Sequence, residues 1–282
     1  MIRRAAVGLG AAASLLLLVA STQATTPRGA SFSPDRFDAK RSAMVDNKWM
    51  PLRPGMQLVY TGATGVGKRL SRREVFTVTD LTKVLAGVRS VVVWDLDYVA
   101  GELVERELVF FAQDRAGNIW HLGEHPEEFE NGKFVEAPTW IQGIKGARAG
   151  IFLTARPHVG EPAYSQGYAP PPISWTDHAK TLQTGRRTCV PAGCYDDVVV
   201  EGEFNPDEPG VYQTKYYAPT VGNVRVGWLG KDPDREVLML TKVARLRGAA
   251  LARARRAALR LEQHAYKISK NVYGRTSPAT RR

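Results

Sequence analysis

Apolar and polar residues alternate along much of residues 56–243, and this period of two predicts β-strands. The alternation is clearest in Glu74–Thr79 and Glu105–Phe110, where we expect polar side chains to face water and apolar side chains to face a core. Glycine-containing turns separate the segments, and Asn131-Gly132 is a strong hairpin signal. The predicted strands are Met56–Thr64, Arg73–Thr82, Val88–Val99, Leu103–Gln113, Ile119–Gly123, Phe134–Glu136, Ile173–Thr184, Asp197–Phe204, Val211–Tyr217, Val224–Trp228 and Glu236–Val243. This order predicts a mainly β fold, either an antiparallel meander or a curved sheet that forms a half-barrel.

Two stretches interrupt the β pattern. Residues 25–46 are polar and punctuated by proline, which predicts a flexible lead before the β domain. Gly143–Pro172 is rich in glycine and proline, and we expect it to wrap an edge or one end of the sheet. Because no long polar linker divides the chain, residues 47–243 are predicted to form a single antiparallel β domain.

The pattern changes to a helical period after residue 243. An apolar stripe recurs at helical spacing, formed by Leu251, Ala254, Ala258, Leu261, Ala265 and Ile268. Four basic residues lie off that stripe: Arg253, Arg256, Arg260 and Lys267. Residues 244–282 are therefore predicted to form one basic amphipathic α-helix and a disordered tail from Arg275. Three roles remain open, namely a helix packed on the domain, a surface helix that contacts an anionic membrane surface or wall polymer, and a solvated tail.

The first 24 residues have the pattern of a secretory signal. Arg3 and Arg4 precede an apolar run over residues 5–20, and Ala24 ends a possible cleavage site. The run is shorter than the roughly 20 residues that a membrane span needs, although an uncleaved anchor remains an alternative. We expect residues 1–24 to be cleaved and the remaining chain to be exported, to the periplasm or the extracellular space.

The chain has a formal net charge of +11, and the location of this charge matters. Residues 244–282 contain eleven Lys and Arg residues and one acidic residue, Glu262. Residues 25–243 contain 26 basic and 27 acidic residues, interspersed as on a solvated surface. No specific nucleic-acid partner is therefore expected, and the basicity belongs to the C-terminal segment.

The chain has two cysteines, Cys189 and Cys194. The residues between them include Pro191 and Gly193 and form a turn that can bring the two sulfur atoms within bonding distance. An oxidising compartment favours a disulfide. Two free thiols or a redox pair are the alternatives, but catalytic dithiols usually enclose two residues at the start of a helix.

Two motifs match known sites in part. Gly62–Lys68 has the spacing of a phosphate-binding loop, but Arg69 stands where Ser or Thr would hold magnesium, and a strand is predicted where a helix is needed. His121–His125 matches the inverted zinc-protease pattern, but Gly123 and Pro126 disfavour the required helix. On a strand, the two histidines would share one face. His121 and His125 are therefore weak metal candidates, and no cofactor is predicted.

Aromatic residues are the best candidates for ligand contact. Trp120, Trp140 and Trp175, together with His178, could line a groove on the curved sheet. No serine lies in a nucleophile elbow, and adjacent carboxylates such as Asp196-Asp197 point to opposite faces of a strand. The sequence therefore predicts no catalytic residue.

Several short sequence segments resemble those of a known group of proteins: Trp49–Gly55, Phe111–Asp114, Gly117–Trp120, Gly123-Glu124, Asn131–Lys133, Tyr216–Pro219 and Val221-Gly222. Over about residues 47–243 the chain resembles a group of uncharacterised exported bacterial β-rich proteins. In that group an aromatic residue is usual where His121 stands and the cysteine pair is not shared, so the resemblance implies neither a zinc nor a redox role. By architecture alone, the predicted sheet resembles the lipoprotein-carrier half-barrels, whose concave face holds acyl chains.

These patterns favour an exported, non-catalytic envelope or extracellular protein. Its curved sheet is expected to bind an apolar small molecule, a lipid or a partner. The alternative is a secreted hydrolase whose site the sequence does not reveal. A hydrolase should place titratable groups with shifted pKa values in one cleft, whereas a carrier should have an apolar cavity.

Overall fold

The computed structural model describes residues 31–282, so the predicted signal peptide lies outside the described residues. The first strands are β1 (Met56–Thr64), β2 (Leu70–Leu85), β3 (Val88–Val99), β4 (Glu102–Gln113), β5 (Ile119–Glu130), β6 (Lys133–Phe134), β7 (Trp140–Ile141) and β8 (Arg148–Leu153). The remaining strands are β9 (Tyr164–Ala169), β10 (Trp175–Val190), β11 (Gly193–Phe204), β12 (Val211–Ala218), β13 (Gly222–Gly230), β14 (Val237–Arg245) and β15 (Thr280–Arg281). The helix α1 spans Gly248–Ile268, and short 3₁₀ helices span Pro34–Arg36 and Tyr273–Arg275.

Twelve of these strands form a closed antiparallel barrel. Their order around the barrel is β1-β14-β13-β12-β11-β10-β9-β8-β5-β4-β3-β2, and β2 pairs with β1 to close the ring. β6 and β7 pair with β5 beside the ring, and β15 pairs with β2. The predicted mainly antiparallel β fold with one C-terminal helix is confirmed. The sheet forms a closed barrel and not a half-barrel, because β1 and β2, which stand at the two ends of the strand order, also pair with each other.

The glycine- and proline-rich middle contributes strands to the barrel wall, where the sequence suggested a wrapping segment. β8 and β9 lie within Gly143–Pro172 and pair with each other in the ring. Gly150 allows their close approach, since a Cβ atom there would lie 2.2 Å from the carbonyl oxygen of Ser165. Glycine in this segment therefore serves strand packing. β5 also extends to Glu130, well past the predicted end at Gly123.

Residues preceding β1 close one end of the barrel, which we call the floor. Trp49, Met50 and Leu52 pack inside the barrel against a cluster that includes Phe111 and Tyr217. The side chain of Asn47 donates to the carbonyl of Gly117 at 2.9 Å and accepts from the backbone N–H of Trp49 at 2.8 Å. The part of the predicted flexible lead that the structure describes is therefore packed. Three of its apolar side chains, Phe37, Ala43 and Val45, are buried, whereas Met44 is exposed.

The helix α1 covers the outer face of β2 to β5. Ala258, Leu261 and Ala265 pack there against an apolar cluster that includes Leu81 and Phe110. Four residues of the predicted stripe, Ala254, Ala258, Leu261 and Ala265, are buried, whereas Leu251 is half-buried and Ile268 is exposed. The basic residues Arg253, Arg256, Arg260 and Lys267 are exposed. Within residues 31–282, no helix has both the length and the apolar character needed to cross a membrane.

A buried carboxylate organises the end of the chain. Glu262 accepts from Lys83 Nζ at 2.7 Å, from the Tyr273 hydroxyl at 3.2 Å and from the backbone N–H of Ala279 at 3.0 Å. Beyond it, Thr280 and Arg281 pair with β2. The segment from Arg275 to Arg282, expected to be disordered, is therefore ordered along the barrel wall. The reason is a buried ionic contact between residues far apart in sequence, which local composition does not reveal.

Candidate functional site

The barrel encloses a cavity of about 690 Å³ that extends from the floor to the loops at the other end, the mouth. Inward-facing residues change in character along β2 and β4. On β2, Phe76 lies nearer the floor, and Glu74 and Arg72 follow toward the mouth. On β4, Phe111 near the floor is followed by Glu107 toward the mouth. The interior therefore has an apolar zone and a charged zone.

The charged zone is an acidic belt, which we define as Glu74, Asp95, Asp97, Glu105, Glu107, Asp177, Glu203 and Glu236. In the register of β3 and β4, Asp95 lies opposite Glu107 and Asp97 lies opposite Glu105. Asp97 also lies opposite Glu74 of β2. Like charges at opposite positions of a sheet destabilise it. Folding stability alone therefore does not account for this arrangement.

Two basic side chains, Arg72 and Lys215, line the cavity together with twelve carboxyl side chains. Arg72 Nη1 lies 2.9 Å from Glu236 Oε2, and its other terminal nitrogen pairs with Asp97. Lys215 Nζ lies 3.8 Å from Glu203 Oε2. The lining described by the structure thus carries a large excess of negative charge when its carboxyl groups are ionised.

The belt alters the pKa values of its members. Burial, and then the neighbouring Glu105, raise the pKa of Glu107 well above its usual value. Burial and then Glu74 do the same for the pKa of Asp95. Burial and Glu203 raise the pKa of Asp177 to about 7. Several belt carboxyl groups therefore retain protons near neutral pH when no added cation compensates them.

Glu107 is a buried belt residue with an unsatisfied carboxylate oxygen, and Asp97 also has one oxygen without a hydrogen-bond partner in the described chain. The side chain of Glu107 is 5% exposed and lines the cavity. Its Oε2 atom finds no hydrogen-bond partner among residues 31–282. A buried carboxylate oxygen without a partner is costly, and such groups in native structures call for an explanation. Glu107 thus points to an occupant of the cavity.

The structure separates the four residues predicted to contact a ligand. Trp175 lines the cavity, and Trp140 stacks behind it with 5.0 Å between ring centroids. Trp120 lies on the opposite side of the wall, in the outer cluster, where its Nε1 donates to Asp114 at 2.9 Å. His178 is near the mouth and contacts Phe204, whose ring lines the cavity, at 5.8 Å between centroids.

The two histidines expected to share a face lie on opposite faces, so that expectation was wrong. A bulge at Leu122, next to Gly123 with φ +141°, changes the alternation of β5. His121 and Glu124 both face the interior, with 3.3 Å between Nε2 and Oε2. His125 faces outward, and its ring packs against Tyr273 beneath the C-terminal segment. Within residues 31–282, no group of three or more His, Cys, Asp or Glu has the arrangement of a metal site.

Glu127, two residues beyond His125, is the centre of a second charged cluster on the outer wall. Its Oε1 lies 2.5 Å from His264 Nδ1 of α1, and its Oε2 accepts from Arg106 Nη2 at 2.6 Å. Burial raises the pKa of Glu127, but hydrogen bonds from His125, His264 and Arg106 outweigh burial and lower it to about 2. This cluster fastens α1 to the barrel and lies outside the cavity.

Cys189 and Cys194 form a disulfide at the tip of the β10–β11 hairpin. The predicted disulfide across this turn is confirmed. The tip also contacts β14, where the backbone N–H of Ala192 donates to the carbonyl of Leu240 at 3.0 Å. Gly62–Lys68 spans the end of β1 and its turn into β2, as expected for a glycine-rich hairpin.

The sequence did not reveal the acidic belt, and two of its residues were predicted to lie on the wrong face of the sheet. Glu105 and Glu107 were expected to face water, yet they face the interior with Val109. The alternation misleads here because α1 covers the outer wall, so that outward residues such as Leu108 are apolar as well. A signal did exist: Asp95 and Asp97 occupy the same alternate positions as Val91 and Val93.

No protein-family model and no curated protein matches the chain. Two solved structures are similar to it. One is described as a "putative exported protein with YmcC-like fold" from Bacteroides fragilis NCTC 9343, with 16% identity, coverage of 71% of this chain and 100% of that chain, and a TM-score of 0.44. The other is described as a "putative lipoprotein" from Parabacteroides distasonis ATCC 8503, with 14% identity, coverage of 70% and 99%, and a TM-score of 0.40.

Proposed function

We propose that the protein is an exported, periplasmic or extracellular binding protein whose acidic barrel interior holds a cationic ligand. Glu107 carries the proposal. It is buried, lines the cavity, lies opposite Asp95 and has an oxygen without a hydrogen-bond partner in the described chain. A ligand cation beside this pair would supply the missing counter-charge to both carboxylates.

Lys215 supports the choice of an ammonium-like ligand. Burial lowers the pKa of its ammonium group, but Glu203, Glu74, Glu236 and Asp177 outweigh burial and raise the pKa above its usual value. The belt therefore stabilises an ammonium group that is attached to the protein itself. A free ligand amine placed between Asp95 and Glu107 would experience the same kind of field.

The extent of the belt favours an organic cation over a single metal ion. The belt residues Glu74, Asp97 and Glu105 form a row that continues to Glu128, which also lines the cavity, and this row crosses four adjacent strands, β2 to β5. Strands are about 4.8 Å apart, so the row spans about 14 Å. Oxygen ligands of calcium lie only about 2.4 Å from the ion. The belt fits an extended or bulky cation, and the cavity volume lies in the range of small-molecule sites. A purely apolar ligand, expected from the sequence, is disfavoured by this lining.

Calorimetric titration of the full chain with spermidine tests the cation site. The probe is chosen because it carries three charged nitrogens and no ionisable acid. We expect binding that weakens with added salt, and about fivefold to tenfold weaker binding in Glu107→Gln, because one charged contact is lost. The matched control is Glu102→Gln, which removes an exposed carboxylate from the same strand. Absence of spermidine binding at low salt, or equal binding by wild type and Glu107→Gln, would overturn the proposal.

Acid–base hydrolysis is the second candidate, and one observation favours it. The carboxyl group of Asp177 lines the cavity and has its pKa raised to about 7 by burial and Glu203, which suits a general acid near neutral pH. A panel of chromogenic glycosides and esters tests this alternative. Turnover by the wild type that is lost in Asp177→Asn would replace the binding proposal with an enzymatic one.

The N-terminal sequence pattern supports export, and the outer face of α1 supports contact with an anionic membrane surface. Arg253, Arg256, Arg260 and Lys267 are exposed on the helix, while its alanine stripe packs on the barrel. Exposed Arg and Lys side chains each add attraction to anionic lipid that salt weakens. We therefore propose that the protein associates peripherally with anionic lipid through this face.

A further inference from the structure

We infer that the ligand is an amphiphilic organic cation, which binds with its charged group in the acidic belt and its apolar part toward the floor. This inference rests on the proposed cation site and adds a direction and a second chemical feature to the ligand. It follows from the two zones of the cavity.

The apolar zone is continuous with the acidic belt. Leu58 of β1 and Phe76 of β2 are paired in register, and both line the cavity next to the Tyr60–Glu74 pair. Leu52 closes the end of this zone from the segment that forms the floor. A ligand with charge along its whole length, such as spermidine, can bind along the belt but leaves these apolar side chains without a partner, because a charged group placed against them would be unfavourable.

The distances suit one molecule that spans both zones. Glu74 and Phe76 are two residues apart on β2, which corresponds to about 7 Å along the strand. Glu107 and Phe111 are four residues apart on β4, or about 13 Å. An alkyl chain attached directly to a nitrogen at the belt therefore enters the apolar zone at once and can extend along it.

The side chain of Phe76 shows that this zone is available. It packs against two apolar clusters but is only partly buried, and its remaining surface lines the cavity. Apolar surface that faces an enclosed cavity is a binding surface for an apolar group of matching length.

A chain-length series tests the inference on the full-length protein. Tetramethylammonium and the butyl-, hexyl-, octyl- and decyltrimethylammonium ions are titrated calorimetrically below their micelle concentrations. We expect the affinity to rise about tenfold for every two methylene groups until the apolar zone is filled. Equal affinity across the series would overturn the amphiphile inference.

Two further probes separate this inference from the proposed cation site. Decyl sulfate has the same tail and the opposite charge, and we expect it not to bind. If spermidine binds while chain length has no effect, the cation site stands and the amphiphile inference fails. If decyl sulfate binds as tightly as decyltrimethylammonium, the cation site itself fails.

A pair of variants tests where the alkyl chain of the ligand binds. Phe76→Gln should reduce the gain from tetramethylammonium to decyltrimethylammonium at least tenfold. Phe134→Gln is the control, because Phe134 is exposed and lies outside the cavity lining. An unchanged chain-length dependence in Phe76→Gln would contradict the assigned orientation. The wild-type series decides the inference even where the variant folds poorly.

Discussion

Asp95 on β3 and Glu107 on β4 lie directly opposite each other in the antiparallel register, and both side chains line the barrel interior. The Cβ atoms of such pairs are about 4.5–5.5 Å apart, so the two groups repel each other when both are ionised. The unfolded chain does not experience this repulsion. The ligand-free fold is therefore under a charge-dependent penalty that protons or a bound cation relieve.

We expect the stability of the ligand-free protein to fall as the pH rises from 6.5 to 8. Burial is the main cause that raises the pKa values of Asp177 and Glu201 to about 7, whereas unfolded carboxyl groups titrate near about 4. The folded state holds protons that the unfolded state has lost between about pH 4 and 7, and it releases the last of them as the pH rises through 7, so the free energy of unfolding decreases with pH up to about 8. A loss of about 1–2 kcal/mol should appear in urea unfolding curves. Constant or increasing stability over this range would contradict the prediction.

The pH range is chosen to separate these carboxyl groups from two others. Glu127, with its pKa lowered to about 2, contributes stability that is lost only as the pH falls below about 4.5. Burial lowers the pKa of His125, so its contribution decreases as the pH falls through about 6.5, where the unfolded histidine becomes protonated. Both groups therefore act mainly on the acid side of the chosen range.

Glu107→Gln should stabilise the ligand-free protein at pH 8. The substitution keeps the shape of the side chain and removes one of two opposed charges, so we expect a gain of about 1 kcal/mol in the free energy of unfolding. The gain should vanish below about pH 4, where the carboxyl group is protonated in the unfolded state as well as in the folded state. Glu102→Gln, at the exposed start of the same strand, should change the stability by less than about 0.5 kcal/mol at both pH values. Destabilisation at pH 8 by Glu107→Gln alone would show that the carboxylate is structurally required.

Glu262→Gln should destabilise the protein by about 3 kcal/mol, because it leaves the buried ammonium group of Lys83 without its counter-charge. Urea unfolding measures the loss. Lys83→Met combined with Glu262→Gln should recover part of it, since no buried charge is then left unpaired. Gln263→Ala, at an exposed neighbouring position, serves as the control. A loss below about 0.5 kcal/mol in Glu262→Gln would mean that the C-terminal segment adds little to the fold.

The strands could be predicted from the sequence because their signals are local. β1 and β3 have the predicted bounds, and the alternation with glycine turns was sufficient to find them. The barrel closes because β1 pairs with β14 as well as with β2. The residues of β1 and β14 lie nearly 200 positions apart in sequence. Alternation in one strand carries no information about such a pairing.

The acidic belt could not be located for a related reason. A glutamate in an alternating strand is normally solvated, and Glu105 gives no local sign that it differs. Its inward direction depends on α1, whose Leu261 and Ala265 cover the outer wall. The burial of the outer face of these strands therefore depends on the C-terminal helix, and the strand sequences alone do not reveal it.

Replacing both cysteines by serine should cost up to about 2 kcal/mol of stability, since the disulfide closes a loop of only a few residues. Cation binding should be unchanged, because Glu107 and the other belt residues lie at the mouth side of the barrel while the disulfide lies at a hairpin tip. Urea unfolding and the spermidine titration measure the two effects. Loss of binding in a folded double variant would assign the cysteine pair more than a stabilising role.

Arg253, Arg256 and Arg260 should govern association with anionic lipid. The full chain should cosediment with vesicles containing phosphatidylglycerol at low salt, and not with phosphatidylcholine vesicles. Replacing all three arginines by glutamine should weaken the association by about tenfold or more, since each surface charge contributes about 1 kcal/mol. The matched control replaces three exposed lysines of the mouth loops, Lys68, Lys133 and Lys231, and removes the same total charge. Equal losses in the two triple variants would mean that net charge, rather than the face of α1, drives the association.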